Sequence, residues 1–461
     1  MKNILLFIIV IFSSSLAAAN DKDLNTALYQ LIAKHKLTGK PLLKKESISI
    51  NSPMAQLGKR LFFSTHLGGK SDSACVSCHH PLLGGGDNLP LSVGVDAIDP
   101  KIIGPGRKHS PKGFDFDGGP TVPRNSPTTF NTVFYSRCMF WDCRIESLGA
   151  TPGMNGDDNS IMRTPDTMWG MPRIRASSLL QAQVAFPVTS ENEMRAKFME
   201  DEDNNELRET LAKRLIAEED KWLKDFRLAF NSKLAASKLI NFENISIVIA
   251  AYEESQIFIN NSWNAFIDGD EHAMTTDAKR GALLFFRNPN EGGYGCAQCH
   301  TGDFFTDENF HVLAIPQIGR GVDDGIYEDN DYGRFVQTGN PDDKFAFRTP
   351  TLLNVEVTGP YGHSGAYKDL RSIIRHMINP DKAINNYDFN LNQLDTSIQK
   401  SHARENSFKA LAHLQKLQTD KKSKITPAEI KERDVDGLYA FLLSLTDPCV
   451  KDTACMKDWL E

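Results

Sequence analysis

The sequence predicts a mainly α-helical protein made of two tandem units with long loops and little strand. Three observations predict it. The motif Cys-x-x-Cys-His occurs twice, at Cys75-Val76-Ser77-Cys78-His79 and at Cys296-Ala297-Gln298-Cys299-His300. A stretch with helical apolar spacing precedes each motif. A long loop and then closing helices follow each one, so a single plan is written twice.

The elements follow in order. Met1-Lys2-Asn3, the apolar run Ile4 to Phe12 and the small residues to Ala19 read as a secretory signal peptide, residues 1–19. The run is short of the roughly 20 residues that span a bilayer. Residues 20–50 read as a polar, weakly helical lead-in. Pro53 to Phe63 carries Met54, Leu57 and Leu61 at helical spacing and leads to the first motif. Residues 81–135 hold Gly84-Gly85-Gly86, Gly104-Pro105-Gly106 and Gly118-Gly119-Pro120, so a regular helix is excluded and a loop wrapped over a surface is expected. Residues 204–232 and 243–267 read as helices. The pattern restarts where Thr276-Asp277 caps a helix to Phe286 ahead of the second motif, and a helix from Asp434 to Leu445 closes the chain. The units are expected at 20–265 and 266–461, with the boundary near 262–272.

The net charge of −7 gives no sign of a nucleic-acid partner or an acidic membrane surface. Of the eight cysteines, four lie in the motifs and four, Cys138, Cys143, Cys449 and Cys455, remain. In an exported chain these four pair in one of three ways. Closeness along the chain favours Cys138–Cys143 and Cys449–Cys455, and the sequence does not decide.

Cys-x-x-Cys-His is the attachment pattern of c-type haem. The thiols of Cys75 and Cys78, and of Cys296 and Cys299, would each reach the two vinyl groups of one porphyrin, with His79 and His300 as proximal iron ligands. A zinc site would need a second ligand pair nearby, and a thioredoxin-like pair would not come twice with a histidine after it. His80 points away from the same iron and reads as a surface residue.

Further residues carry a resemblance. Arg124-Asn125-Ser126-Pro127-Thr128, then Phe140-Trp141-Asp142-Cys143-Arg144, then Gln183, Pro187 and Glu193-Met194, then Thr358-Gly359-Pro360-Tyr361-Gly362-His363-Ser364-Gly365 surround the two motifs. In that order they resemble the bacterial diheme cytochrome c peroxidase family, which includes the diheme enzymes of methylamine utilisation. The resemblance covers nearly the whole mature chain, with insertions near 97–120 and 150–178. It implies two cytochrome c-like domains, a peroxidatic N-terminal haem and an electron-relaying C-terminal haem.

By the same resemblance Glu193 is the distal acid/base, Gln183 its support, and Trp141 the indole between the haems. A carboxylate above an open iron can take a proton from one peroxide oxygen and return it to the other. Met377 is the implied distal ligand of the C-terminal haem, with His376 as rival. Peroxidases of the family have Met there, and the quinone-forming enzymes have Tyr. The two neighbours point about 100° apart on a helix Leu370 to Ile378, so only one can face the iron. Asn125, Thr358 and Pro360 fall on the family's calcium positions. Phe-Trp-Asp-Cys-Arg stands where the family has Phe-Trp-Asp-Gly-Arg, which points to a Cys138–Cys143 disulfide stiffening this loop.

One departure concerns activation. Many family peroxidases place a histidine in the loop after the first motif, closing the N-terminal iron until reduction opens it. Here Val95 falls on that position, and His109 lies further on within the insertion. The expectation is a periplasmic peroxidase that reduces hydrogen peroxide to water with electrons from a small cytochrome or cupredoxin, in a family whose members are often dimers. An oxidase of a protein or small molecule, and a non-enzymatic diheme electron carrier, are the alternatives.

Overall fold

The computed structural model describes residues 21–43, 46–147, 162–166, 176–322, 329–394 and 397–461. The expected signal peptide and most of the expected insertion at 150–178 lie outside the described residues. The fold is mainly helical. The strands named among the described residues form two small antiparallel sheets, Cys138–Met139, Ile145–Ser147 and Met162–Arg163 in one, Phe310–Val312 and Ala346–Arg348 in the other.

Each unit is built on one helix crossing. Ser52 caps the helix Pro53–Phe63, accepting from Ala55 N–H, with Pro53 in the first turn, where its missing N–H costs nothing. This helix crosses Phe242–Glu254 at Gly58, where a Cβ would overlap the Val248 carbonyl. In the second unit Thr276–Phe286 crosses Glu432–Leu443 at Gly281, where a Cβ would overlap the Gly437 carbonyl. Both crossings need glycine because backbone meets backbone. Leu57, Leu61 and Phe62 then meet Ile245, Val248 and Tyr252, while Ala282, Phe285 and Phe286 meet Leu438, Phe441 and Leu442.

Several expected elements shift. Thr275, one residue before the expected cap, closes the start of Thr276–Phe286. The expected helix at 204–232 breaks at Glu218 into Asn204–Ala217 and Glu219–Ala229. That at 243–267 divides into Phe242–Glu254 and Ser262–Ile267. Between the two halves Asn131, fully buried, exchanges hydrogen bonds with the Phe258 backbone, and Gln256 O accepts from Asn131 N–H. These partners take backbone groups that a continuous helix would have used on itself.

Sequence order and packing part company at both ends of the chain. The lead-in holds a full helix, Asp21–His35, and its Leu24, Leu28 and Leu31 are buried in the second core together with Trp263 and Phe266. The helix Glu432–Leu443 does not close the chain. Beyond it the Cys449–Cys455 disulfide folds a short tail back toward the first unit. There Trp459 O accepts from Tyr252 OH at 2.8 Å, and Asp458 O accepts from Lys59 Nζ at 3.0 Å. The first described helix and the C-terminal tail are thus each packed against the other unit.

Gly281→Ala should destabilise the protein by at least about 1–3 kcal/mol, the usual cost of overpacking. Chemical denaturation of the haem-loaded protein checks this, and an unchanged midpoint would show that the crossing can separate freely.

Candidate haem sites and the cavity between them

Each Cys-x-x-Cys-His motif forms a single 3-10 turn, Cys75–Ser77 and Cys296–Gln298, which brings both thiols and the histidine to one side. His79 donates from Nδ1 to Gly85 O at 3.1 Å, and His300 from Nδ1 to Phe305 O at 3.0 Å. A carbonyl can only accept, so the proton sits on Nδ1 and Nε2 keeps its lone pair. Burial lowers the pKa of both imidazoles and keeps them neutral. This is the arrangement of a metal-ligating histidine fixed by its second nitrogen.

The four motif cysteines are free thiols, whereas the other four form Cys138–Cys143 and Cys449–Cys455. The local pairing favoured by sequence is the one present.

One cavity of about 690 Å³ joins the two motifs. At one end Cys75, Cys78 and His79 line it together with Gln183 and Glu193; at the other Cys296, Cys299 and His300 do so with Met377. Trp141, Asn125, Thr358 and Pro360 also line it. The fold therefore brings together every site residue expected from sequence.

Glu193 lies on a one-turn π-helix, Glu191–Arg195. Burial raises its pKa above the usual carboxylate range, partly opposed by Arg144, whose Nη2 stands 3.5 Å away. Sequence reasoning quoted Arg144 but gave it no role. Its guanidinium also lies 3.8 Å from the Phe140 ring centre.

At the other end the helix Leu370–Ile378 separates the two rival ligands. His376 is fully buried, with Nδ1 2.7 Å from Tyr367 OH and Nε2 2.8 Å from Leu313 O. Both its nitrogens are engaged, and Met377 is the one that lines the cavity. His80 is half-buried rather than a plain surface residue: its Nδ1 accepts from Leu82 N–H and caps the turn Pro81–Leu83. Val95 is fully buried, and His109 stacks on Phe116 with ring centres 5.7 Å apart. Neither belongs to the cavity wall.

Trp141 is held from both units. Its Nε1 donates to Asn125 O at 2.9 Å, and its carbonyl accepts from Arg348 N–H at 2.9 Å. The Cys138–Cys143 disulfide closes its loop, while Arg334 reaches the carbonyls of Asp142 and Cys143 at 3.2 and 3.3 Å. Beside it Arg124 binds Asp331 through two bonds, 2.6 and 2.8 Å, and approaches Asp142 at 2.8 Å. All three charges are buried. Burial opposes ionisation of Asp142, yet Arg124 and Arg144 outweigh it and hold the carboxyl at about 2.

Two further buried donors line the cavity without a hydrogen-bond partner, Arg348 Nη1 and His363 Nδ1. Gln317 Oε1 accepts from Asp331 N–H, which leaves its Nε2 to donate to His363 Nε2 at 3.3 Å and puts the histidine proton on Nδ1. Such donors suit the carboxylates of a porphyrin. Thiols, neutral imidazoles and these cationic or N–H donors together fit covalent haem at both motifs. The proposed calcium positions are oxygen-bearing as that ion requires. Among the described residues, the one cluster of three or more acidic, Cys or His side chains at metal-binding spacing, Cys299, Asp307 and His311, includes none of these positions and uses a motif cysteine.

Residues 52–272 match the family described as di-haem cytochrome c peroxidase. Over that stretch the chain resembles the di-haem cytochrome c peroxidase family. It is 26% identical over 371 residues to cytochrome c551 peroxidase of Pseudomonas aeruginosa, covering 80% of this chain and 82% of that one. It is 24% identical to methylamine utilization protein MauG of Methylorubrum extorquens, covering 70% and 67%. Among solved structures, a MauG-like protein associated with microbial copper homeostasis matches with a TM-score of 0.58 at 19% identity, over 91% of this chain and 98% of that one. The diheme peroxidase BthA from Burkholderia thailandensis matches with a TM-score of 0.53 at 19% identity, over 86% of each. The protein is an oxidoreductase, and the family it resembles carries two c-type haems. No described helix is long and apolar enough to cross a membrane.

Arg124→Ala should cost about 3–5 kcal/mol at neutral pH, because it strands two buried carboxylates. The Asp142 contribution is complete above its ordinary value of about 3.9 and is lost as pH falls toward about 2. Denaturant titrations at pH 7 and pH 3 check both statements; a loss below about 1 kcal/mol at pH 7 would remove the clasp from the account.

Proposed function

We propose that this protein reduces hydrogen peroxide to water, drawing electrons from a small cytochrome c or cupredoxin. The observation that carries the reading is Glu193, a half-buried carboxylate with a raised pKa in the cavity that holds His79. The haems, when bound, supply the redox chemistry, and the side chains supply position and protons. Glu193 accepts a proton from one peroxide oxygen and hands it to the other as water leaves. Gln183, on the same wall, orients the peroxide. With two electrons and two further protons the balance is two waters.

Trp141, gripped by Asn125 O and Arg348 N–H, provides the indole through which one electron passes from the His300 side. Met377 offers a thioether there, which raises an iron potential and favours accepting electrons from a donor. The MauG relative keeps open an oxidase that acts on another substrate, and Met377 argues for the peroxidase. We assign the division of labour to units 20–265 and 266–461, apart from the terminal segments exchanged between them. We place the protein in the periplasm on the reading of residues 1–19. Calcium is assigned to Asn125, Thr358 and Pro360, and a homodimer is part of the same proposal because members of the resembled family are often dimers.

Val95 and His109 stand away from the cavity wall, which supports a His79 haem that needs no reductive activation. The oxidised protein should show one high-spin and one low-spin iron by EPR. It should also react with peroxide without prior reduction. Two low-spin irons in both the oxidised and the half-reduced protein would leave only the electron carrier.

Glu193→Gln should slow peroxide turnover by about 10²–10⁴-fold, the usual share of general acid/base catalysis. As a base Glu193 must be ionised, so the wild-type rate should fall as pH drops through a value above the ordinary carboxylate range. Stopped-flow kinetics across pH would show a flat, slow profile in the variant, and an unchanged rate would remove Glu193 from the mechanism.

A further inference from the structure

The carboxylate assigned to proton transfer sits on a turn of five residues that cannot hold itself in place. Glu191–Arg195 makes a single π turn, and its N-cap residue Ser190 supplies no side-chain capping bond. Two glycines close on it from the segments before and after the first motif. Gly69 N–H donates to Met194 O at 2.6 Å, and a Cβ at Gly69 would overlap the Arg195 carbonyl. Gly94 lies against the carbonyls of Asn192 and Glu193, again with no room for a Cβ. Neither glycine has a positive φ, so close approach alone demands the missing side chain.

The Gly94 segment is itself held down. Arg107, 1% exposed, donates from Nε to Val93 O at 2.7 Å and from Nη2 to Gly94 O at 2.8 Å. Its Nη1 reaches Pro100 O and Ile102 O at 3.0 and 2.9 Å. Four backbone carbonyls therefore converge on one buried guanidinium, a planar fork that a lysine cannot reproduce. Arg107 comes from the segment read as an insertion near 97–120. Neither Gly94 nor Arg107 lines the cavity, so neither can act on a substrate directly.

We propose that Gly94, latched by Arg107, is a positioning residue that fixes the Glu193 carboxylate at the His79 end of the cavity. The insertion thereby acquires a role: it turns the loop after the first motif into a rigid seat for the proton-transfer group. The inference rests on the proposed role of Glu193. A carboxylate displaced by even a small shift of its turn loses hydrogen-bond reach to a bound peroxide.

The test is a double-mutant cycle in the diheme holoprotein with Gly94→Ala, Glu193→Gln and the pair. Two rates are read by stopped flow: reaction with peroxide, and binding of cyanide to the oxidised protein. Cyanide arrives as HCN and must give its proton to a base, so its on-rate reports the carboxylate without turnover. Gly94→Ala should lower both rates about tenfold or more, yet change them by less than about twofold in the Glu193→Gln background. Arg107→Lys, which keeps the charge but not the fork, should act in the same direction and stands in if Gly94→Ala fails to fold. Equal losses in both backgrounds, or no loss in Gly94→Ala and in Arg107→Lys while Glu193→Gln is slowed, overturns the positioning role while leaving Glu193 in place. An unaltered Glu193→Gln protein instead removes the underlying assignment.

Discussion

Arg124 places one guanidinium between two carboxylates, Asp142 from the first unit and Asp331 from the second, all buried. Stripping water from three charges is costly, and their attraction offsets it only because the geometry is close and partly bidentate. Breaking any member leaves an uncompensated charge in a dry interior, so the clasp is more effective at fixing one arrangement than at adding stability. Its place matters more than its strength. Arg124 is followed by Asn125, whose carbonyl holds the Trp141 indole, and Asp142 follows Trp141 in sequence. The bond that joins the units is thus continuous with the residue proposed to carry electrons between them.

The same joining is repeated by apolar packing and hydrogen bonds at the two terminal segments. The helix Asp21–His35 buries its leucines in the second core, and the tail after Cys449 returns Trp459 to the first. Neither unit is complete without a segment from the far end of the chain. A cavity that must keep two haems in a constant relation benefits from units that cannot rotate apart. The disulfides act at both places, closing the Trp141 loop and the returning tail. Around this frame the reactive side is made of short, irregular pieces: a π turn for Glu193, 3-10 turns for the motifs, and a loop whose glycines let backbones touch. Irregular backbone lets side chains be aimed individually, but each such piece needs outside support, supplied by buried arginines such as Arg107, Arg334 and Arg348.

Much of this was legible in the residues. The Cys-x-x-Cys-His motifs carry their chemistry in their spacing, because attachment to one porphyrin is a local problem. The helices Pro53–Phe63, Thr276–Phe286 and Leu370–Ile378 were readable because caps and apolar period agree over those stretches. Where the helical period ran on without a visible stop, as across residues 255–261, the reading failed. The interruption comes from Asn131 and Thr129, more than a hundred residues away in sequence, competing for backbone and side-chain groups. The burial of the lead-in helix was missed for a similar reason: its polar composition hides a narrow leucine stripe that matters only when a distant core offers a face.

By itself the sequence determined the helical class, the two motifs and the residue types available for ligation and proton transfer. It left open whether His376 or Met377 faces the cavity, which cysteines pair, and what steadies Glu193. Those were decided by tertiary structure, because each depends on where a second segment lies. Tyr367 and Leu313 occupy the two nitrogens of His376, and Gly69 and Gly94 enclose the turn that bears Glu193. Local spacing fixes what a side chain is able to do; only the packing of segments remote along the chain fixes what it meets.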